Sequence, residues 1–151
     1  MTMSRNPLRP LEEFRHQIRR FLDFSRRAAR GAGLAPQQHQ MLLVIAGDGA
    51  GPQASIRHLS RRLFLNHNSA VELVNRLERK GLARRVRRPG DRRQVGVLIT
   101  PRGRRVLARL TRHHLAELRT AGPELVRALR AVIRGARRSA SPNGAARRKP
   151  R

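Results

Sequence analysis

Residues 69–104 read SAVELVNRLERKGLARRVRRPGDRRQVGVLITPRGR, and their hydrophobic spacing changes partway along. Up to Lys80 the apolar residues recur every three or four positions, which predicts an amphipathic helix that ends at Gly81. Beyond it, apolar and polar residues alternate on both sides of Pro89 and Gly90, which predicts a β-hairpin. Thr100 and the proline after it are typical of the start of another helix. The stretch therefore predicts helix, hairpin and helix in that order.

A shorter helix precedes this stretch and is separated from it by a tight turn. Ile56, Leu59 and Leu63 have helical spacing, and residues 66–69 offer several N-cap side chains for the next helix. Two short helices joined in this way predict a helix-turn-helix, and a basic hairpin directly after it predicts a winged helix. A helical wheel over residues 66–80 separates apolar Ala70, Val71, Leu73, Val74 and Leu77 from polar Asn68, Glu72, Asn75, Arg76 and Arg79.

Further helices are predicted on both sides of the winged helix. Apolar residues at helical spacing predict one helix over residues 11–29 and another over 36–46. After Pro101 the same spacing predicts a helix that Gly122 and Pro123 end, and one more helix follows them. The predicted fold class is mostly α, with a small β-hairpin wing and helical elements at both ends.

The charge balance predicts a polyanionic partner, with nucleic acid as the first candidate. The chain carries 35 basic and nine acidic residues, a formal net charge of +26. All but two of the basic residues are arginine, which binds phosphate and guanine through two parallel hydrogen bonds. Residues 135–151 have the composition of a disordered basic tail, for which we expect non-specific attraction to phosphates.

Composition also excludes several other classes of protein. The absence of cysteine excludes disulfides, thiol redox sensing and cysteine-ligated metal sites. The longest apolar run, at 41–46, is far shorter than the roughly 20 residues that a membrane span needs, and we expect a cytoplasmic protein. The six histidines lack metal-ligand spacing, and no catalytic arrangement or phosphate-binding loop is present. We therefore expect no enzyme activity, no cofactor and no metal.

The sequence resembles the MarR family of bacterial transcriptional regulators over about residues 34–112. The family's most specific string is a helix that ends in a glycine and a leucine, a basic wing with the pattern P-x-D-R-R, and a threonine and glycine that open the next helix. Here these positions are Val74, Leu77, Gly81, Leu82, Pro89, Asp91, Arg92, Arg93, Val95, Val97, Thr100 and Gly103. So many matches in one order are far more specific than a single short motif.

The resemblance implies a homodimer whose two winged lobes bind a pseudo-palindromic site on double-stranded DNA. Its half-sites should lie one helical turn, roughly 34 Å, apart. Apolar stripes outside the lobe are consistent with helical dimerisation elements. The domains expected are an N-terminal arm and dimerisation helix at 1–33, the DNA-binding lobe at 34–100, C-terminal dimerisation helices at 101–134, and the tail at 135–151.

The resemblance also implies a way of releasing DNA. Family members often release it when a small, frequently aromatic, compound binds between the dimerisation helices and the DNA-binding lobes. In this chain such a site would draw on the helices at 11–29, 36–46 and 101–119. No residue there identifies the ligand.

The residues expected to contact DNA are Asn66, His67, Asn68, Ser69, Glu72 and Arg76 on the recognition helix, and Arg88, Asp91, Arg92 and Arg93 on the wing. The resemblance implies that Asp91 pairs with Arg93 and aims it into an A·T-rich minor groove. An arginine already held by a carboxylate loses less rotamer entropy on binding. Alternatively, Asp91 only caps the turn, and Arg92 and Arg93 contact phosphates.

Glu72 departs from the family pattern, in which arginine is frequent at this position. Its carboxylate either accepts a hydrogen bond from a cytosine amino group or pairs with Arg76, four residues further on. Both interpretations place Glu72 on the side of the helix that faces DNA.

These observations predict a homodimeric, sequence-specific transcriptional regulator, in the first instance a repressor that occludes a promoter. The alternative is a non-specific architectural protein of the nucleoid type, which binds DNA through charge alone. That alternative explains the charge and the tail. It does not explain why uncharged Asn66, Asn68 and Ser69 stand at the start of a helix with arginine-rich flanks.

Overall fold

The structure is a computed structural model that describes residues 8–47, 54–88 and 90–140 of the chain. Of these, residues 88, 91–94, 139 and 140 are described by their backbone alone. The elements are α1 (Leu8–Gly31), α2 (Pro36–Gly47), α3 (Ile56–Arg62), α4 (His67–Arg79), β1 (Ala83–Arg88), β2 (Asp91–Ile99) and α5 (Pro101–Ala140). The predicted class, mostly α with a hairpin wing after a helix-turn-helix, is confirmed.

The chain divides into two compact units, and residues 24–116 form the one that we call the lobe. Its interior contains one cluster of buried aliphatic side chains. The largest apolar side chains buried there are Met41, Leu42, Leu59, Val74, Leu77, Val97 and Leu110. Since burying one such side chain contributes about 1.5 to 3 kcal/mol, this cluster is the main source of the stability of the lobe.

Short polar side chains determine where the two helices of the helix-turn-helix begin. The Ser55 hydroxyl accepts a hydrogen bond from the backbone nitrogen of His58 at 3.1 Å, and Asn66 Oδ1 accepts one from the nitrogen of Ser69 at 2.8 Å. Each cap satisfies a backbone donor that has no partner within its helix. The predicted start of α4 within residues 66–69 is therefore correct.

The wing is an antiparallel hairpin with an irregular tip. Its register places Ala83 opposite Ile99, Arg85 opposite Val97, Arg87 opposite Val95, and Arg88 opposite Asp91. The adjacent residues Arg87 and Arg88 thus have Val95 and Asp91 as partners. Residues 92–94, which separate these two partners, form a bulge in β2. Val97 also donates its backbone hydrogen to the Ala54 carbonyl at 3.0 Å, which attaches the segment before α3 to the hairpin.

The start of α5 is fixed to the chain that follows α4. The Thr100 hydroxyl accepts from the backbone nitrogen of Gly103 at 3.0 Å and donates to the Gly81 carbonyl at 2.6 Å. A Cβ atom at position 103 would lie 2.1 Å from the carbonyl oxygen of Leu82, far inside van der Waals contact. Only glycine fits there, which gives a physical reason for the glycine of the LITPRG segment.

The predicted end of a helix at Gly122 and Pro123 is wrong. α5 continues through both residues to Ala140, so it replaces the two predicted C-terminal helices and includes residues 135–140, which were assigned to the tail. Pro123 lacks a backbone donor and was expected to end the helix. The apolar stripe nevertheless continues across it, at Leu118, Ala121, Leu125 and Ala128, and favours helix on both sides. Residues 141–151 lie outside the described part of the chain.

The second unit comprises, in its described part, residues 8–23 of α1 and 117–140 of α5. Within α1, Gln17 donates to Glu13 at 2.7 Å and accepts from Arg20 at 3.2 Å. The large exposed apolar residues of this unit are Leu8, Leu11, Leu22, Val126, Leu129 and Ile133. Among the described residues, no helix has the length and apolar character needed to span a membrane.

Candidate nucleic-acid interface

The exposed side of α4 begins with four consecutive polar residues. Asn66 uses Oδ1 for the helix cap, which leaves its amide NH₂ group as a further donor. His67, Asn68 and Ser69 are exposed in the first turn. An open groove of about 360 Å³ runs beside them, lined by Gln37, Asn68, Ser69, Glu72, Leu73 and Arg76. The structure thus brings four of the six predicted recognition-helix residues together beside one groove, with the mixed donors and acceptors that base edges require: Asn68, Ser69, Glu72 and Arg76. Asn66 and His67 are exposed at the start of the same helix but do not line it.

Glu72 binds two arginines on this surface. Its Oε1 atom accepts from Arg76 Nε and from Arg79 Nη2, both at 3.0 Å. The hydrogen bond from Arg76, with further contributions from Asn75 and the Arg79 charge, holds the pKa of the Glu72 carboxyl below its ordinary value. Of the two interpretations of Glu72, its pairing with Arg76 is therefore present in the structure. The carboxylate holds two cations side by side.

Arg85 links the wing to α4. Its Nη1 atom donates to Glu78 Oε2, its Nη2 atom donates to Asn75 Oδ1 at 2.8 Å, and its backbone nitrogen donates to Glu78 Oε1 at 2.7 Å. The side chains of Glu78 and Arg85 are each only 31% exposed. We call these three residues the α4–β1 clamp, because together they fix the strand against the helix.

The clamp corrects the expectation for Asn75. The helical wheel placed Asn75 on the exposed polar side, but it is half-buried and its oxygen accepts from Arg85. The reason is tertiary, since β1 packs along the edge of the helix on which Asn75 lies, and a wheel of one helix contains no information about that strand.

The wing residues with predicted DNA contacts lie in the hairpin tip. Arg88 is the last residue of β1, Asp91 pairs with it across the turn, and Arg92 and Arg93 belong to the bulge in β2. Their side chains are outside the described part of the structure. The pairing of Asp91 with Arg93 therefore stays a prediction.

His114 is at the centre of a small cluster of side chains in the lobe. The ring of His114 lies 4.7 Å from the His39 ring and 5.4 Å from the Phe24 ring, and its nitrogens contact the Leu110 carbonyl at 2.7 Å and the Ser25 hydroxyl at 2.9 Å. His39 is only 2% exposed, and neither of its ring nitrogens has a hydrogen-bond partner within the described structure. Burial, and then the nearby His114, lower the pKa of His39 to about 4. His39 is therefore neutral at pH 7.

Glu78, Arg85 and Arg79 were not among the residues predicted to form the site, although the helical wheel placed Arg79 on its polar side. Arg79 was recoverable, because it lies two helical turns from Glu72 on the same side of the wheel. The contact between Glu78 and Arg85 joins a helix to a strand, and no periodicity within one element relates them. Within the described residues, no group of three or more histidine or acidic side chains is placed to hold a metal ion.

Comparison with known sequences shows which family this region of the chain matches. The model of the MarR family matches residues 32–94. A transcriptional regulatory protein for the hcr operon of Thauera aromatica is 38% identical over 96 residues, which are 64% of this chain and 56% of that protein. The chain thus spans little more than half the length of this curated relative.

Solved structures show the same fold. FabT of Streptococcus pneumoniae, in complex with DNA, is 29% identical with a TM-score of 0.52, over 57% of this chain and 58% of that one. CouR from Rhodococcus jostii RHA1, bound to p-coumaroyl-CoA, is 25% identical with a TM-score of 0.61, over 77% of this chain and 82% of that one. The residues matched by the family model contain α2, the helix-turn-helix and most of the hairpin. Over residues 32–94 the chain therefore matches the MarR family, whose winged helix it shares.

Proposed function

We propose that the chain is a homodimeric, sequence-specific DNA-binding transcriptional regulator that acts as a repressor. The observation that carries this proposal is the surface of α4, where four polar residues and two carboxylate-held arginines stand together on a helix fixed to its wing. A protein that binds DNA through charge alone would require neither the amide side chains nor the acidic Glu72. Such a mixture of donors and acceptors suits base edges in the major groove.

On α4 we assign two kinds of contact. Asn66, His67, Asn68 and Ser69 contact base edges and phosphates from the first turn of the helix, and Arg76 reaches a guanine or a phosphate from the next. Glu72 acts through its two arginines, because its carboxylate already limits their rotamers before DNA arrives. This role accounts for an acid at a surface that binds a polyanion.

On the wing we assign Arg88, Arg92 and Arg93 to the DNA backbone and the minor groove. The bulge in β2 supports this assignment, since bulges change the direction in which side chains leave a strand. Asp91 pairs with Arg93 and orients it. The clamp at Arg85 keeps the wing at a fixed position relative to α4, so that both elements meet the duplex together.

The homodimer is supported by the second unit, which exposes six large apolar side chains in a chain with an aliphatic interior. Exposed apolar surface of this kind is typical of helical interfaces between subunits. We also propose that a small aromatic compound binds the dimer and releases DNA. This rests on the family and on the ligand of CouR.

Selection of bound duplexes from a random pool, at near-physiological salt, tests the function directly. We expect an enriched inverted repeat with half-sites about 10 base pairs apart, because two symmetric recognition helices bind successive major grooves. Asn68→Ala should reduce the preference for this site. Gln40→Ala removes an exposed amide from α2 instead and should leave the preference unchanged.

A pool that stays random would contradict sequence-specific regulation and favour the architectural alternative. Binding of a single half-site would contradict the homodimer while leaving the role of α4 intact.

A further inference from the structure

Three helices of the lobe end in the same hydrogen-bonded motif, but one of them uses a different residue. In each, the residue after the C-cap has a left-handed backbone, and two backbone hydrogen bonds close the last turn. At the end of α1, the backbone nitrogen of Gly33 donates to the Arg30 carbonyl and that of Leu34 to the Ala29 carbonyl, both at 2.9 Å. At the end of α3, the nitrogen of Phe64 donates to the Arg61 carbonyl at 3.3 Å and that of Leu65 to the Ser60 carbonyl at 2.9 Å. At the end of α4, the nitrogen of Gly81 donates to the Glu78 carbonyl at 2.8 Å and that of Leu82 to the Leu77 carbonyl at 2.9 Å. The left-handed residue is glycine at the ends of α1 and α4 and phenylalanine at the end of α3.

Phenylalanine is an unfavourable residue for this position. Phe64 has φ of +53°, and it is the only residue other than glycine with a positive φ in the described part of the chain. The Cβ atom of an L-residue crowds the backbone in this region, whereas glycine adopts it without cost. The side chain of Phe64 is 96% exposed, so no burial offsets the strain. Strained residues that a structure retains are concentrated at functional sites.

The surroundings of Phe64 indicate a polyanionic partner. The turn that holds it is anchored by half-buried Leu63 and Leu65, and the cap of α4, Asn66, lies two residues away. Two residues span at most about 7 Å, so the ring lies near the first turn of the recognition helix. No acidic residue occurs between positions 54 and 71, and α3 exposes Arg57, Arg61 and Arg62 there. An aromatic ring in cationic surroundings suits the apolar parts of DNA better than it suits a protein surface.

We propose that Phe64 is a specificity-determining residue whose exposed ring packs against a thymine methyl group at the edge of the half-site that α4 binds. The thymine methyl is the apolar feature of the major groove, and a ring held rigidly by a left-handed turn meets it with little loss of rotamer freedom. This inference rests on the proposed function. The strain at the end of α3 lowers the stability of the fold, and the contact with DNA is the reason that we assign for its retention.

The test compares the variants Phe64→Gly and Phe64→Ala with the wild type. Phe64→Gly removes both the ring and the strain, so its Tm should rise by roughly 2 to 6 °C, while its affinity for the selected site falls about fivefold or more. Phe64→Ala removes the ring but keeps a Cβ atom in the strained position, so it should lose affinity with little change in Tm. Gly33→Ala is the matched control, because its Cβ meets no atom within 4 Å and only the strain is added. Its Tm should fall.

Replacing thymines of the selected site one at a time by uracil, which lacks the methyl group, identifies the contact. The wild type should lose affinity at one position of each half-site, and Phe64→Gly should be indifferent at that position. Equal affinity of Phe64→Gly and the wild type for the site overturns the inference. A loss of affinity in Phe64→Gly that is equally large on an unrelated duplex also overturns it. A wild type that selects no site contradicts the proposed function, whereas a selected site that is bound equally without the ring contradicts only the role of Phe64.

Discussion

Glu72 and Glu78 lie on the same helix and bind arginines in two different environments. Glu72 is 49% exposed and holds Arg76 and Arg79 at the surface, whereas Glu78 is 31% exposed and holds Arg85 of the wing. Exposed ion pairs contribute little to folding because water and salt screen them, whereas a charged group below the surface depends on its partner. The same chemistry thus holds two arginines on the surface of α4 that we propose binds DNA, and at Glu78 it holds the wing against the helix.

The largest consequence of burial in the lobe should appear at His39. Its pKa is lowered from 6.5 to about 4, so the unfolded chain binds the proton over a pH range in which the folded lobe does not. Stability should therefore fall by about 3 kcal/mol as the pH decreases from about 6.5 to about 4, and the contribution should be constant below that. Denaturant unfolding at a series of pH values measures it.

His39→Leu should remove most of this pH dependence, and His113→Leu, which replaces an exposed histidine of α5, should preserve it. The same slope in the wild type and in His39→Leu would show that other groups produce the acid sensitivity.

Removing the acid of the clamp should have the next largest effect on stability. Glu78→Ala leaves both the guanidinium and the backbone nitrogen of half-buried Arg85 without this acceptor, and should cost about 1 to 3 kcal/mol. Glu72→Ala is the matched control on the same helix and should leave unfolding nearly unchanged. Equal losses in the two variants would contradict the distinction between the two environments.

The cap of α4 should have a smaller effect than the clamp. Asn66→Ala removes the acceptor for the backbone nitrogen of Ser69 and should cost about 1 kcal/mol in thermal or denaturant unfolding. Asn68→Ala changes an exposed residue two positions further along the chain. Its side chain does not cap the helix, so the stability should be unchanged. An equal loss in both variants would indicate that the first turn is stabilised by something other than the cap.

The smallest effect should come from Glu72 and should appear in DNA binding. Glu72→Ala releases Arg76 and Arg79 to phosphates, so the affinity for unrelated duplexes should increase. The slope of the logarithm of the binding constant against the logarithm of the salt concentration should become more negative by about one. Preference for the selected site should decrease, because the arginines are no longer oriented. Glu117→Ala removes the same charge from α5, to which no DNA contact is assigned, and serves as the control. A shallower salt dependence in Glu72→Ala would contradict the positioning role.

Much of the lobe follows from signals carried by neighbouring residues. The cap at Asn66, the glycine after α4, and Thr100 before α5 fixed the boundaries of the recognition helix and the hairpin to within a residue or two. Caps, turn residues and apolar periodicity act within a few positions along the chain, so the sequence contains them completely. The exception is α5, in which a continuous apolar stripe outweighed the local signal of Pro123.

The sequence by itself determined the winged helix, the basic charge and the polar row at the start of α4. Only the tertiary structure decided that Asn75 serves the clamp, that Glu78 binds Arg85 across two elements, and that His39 is buried beside His114. It also decided that Phe64 occupies a position for which its own residue type is poorly suited. The physical reason is the same in each case, since these contacts depend on where separate elements meet in space.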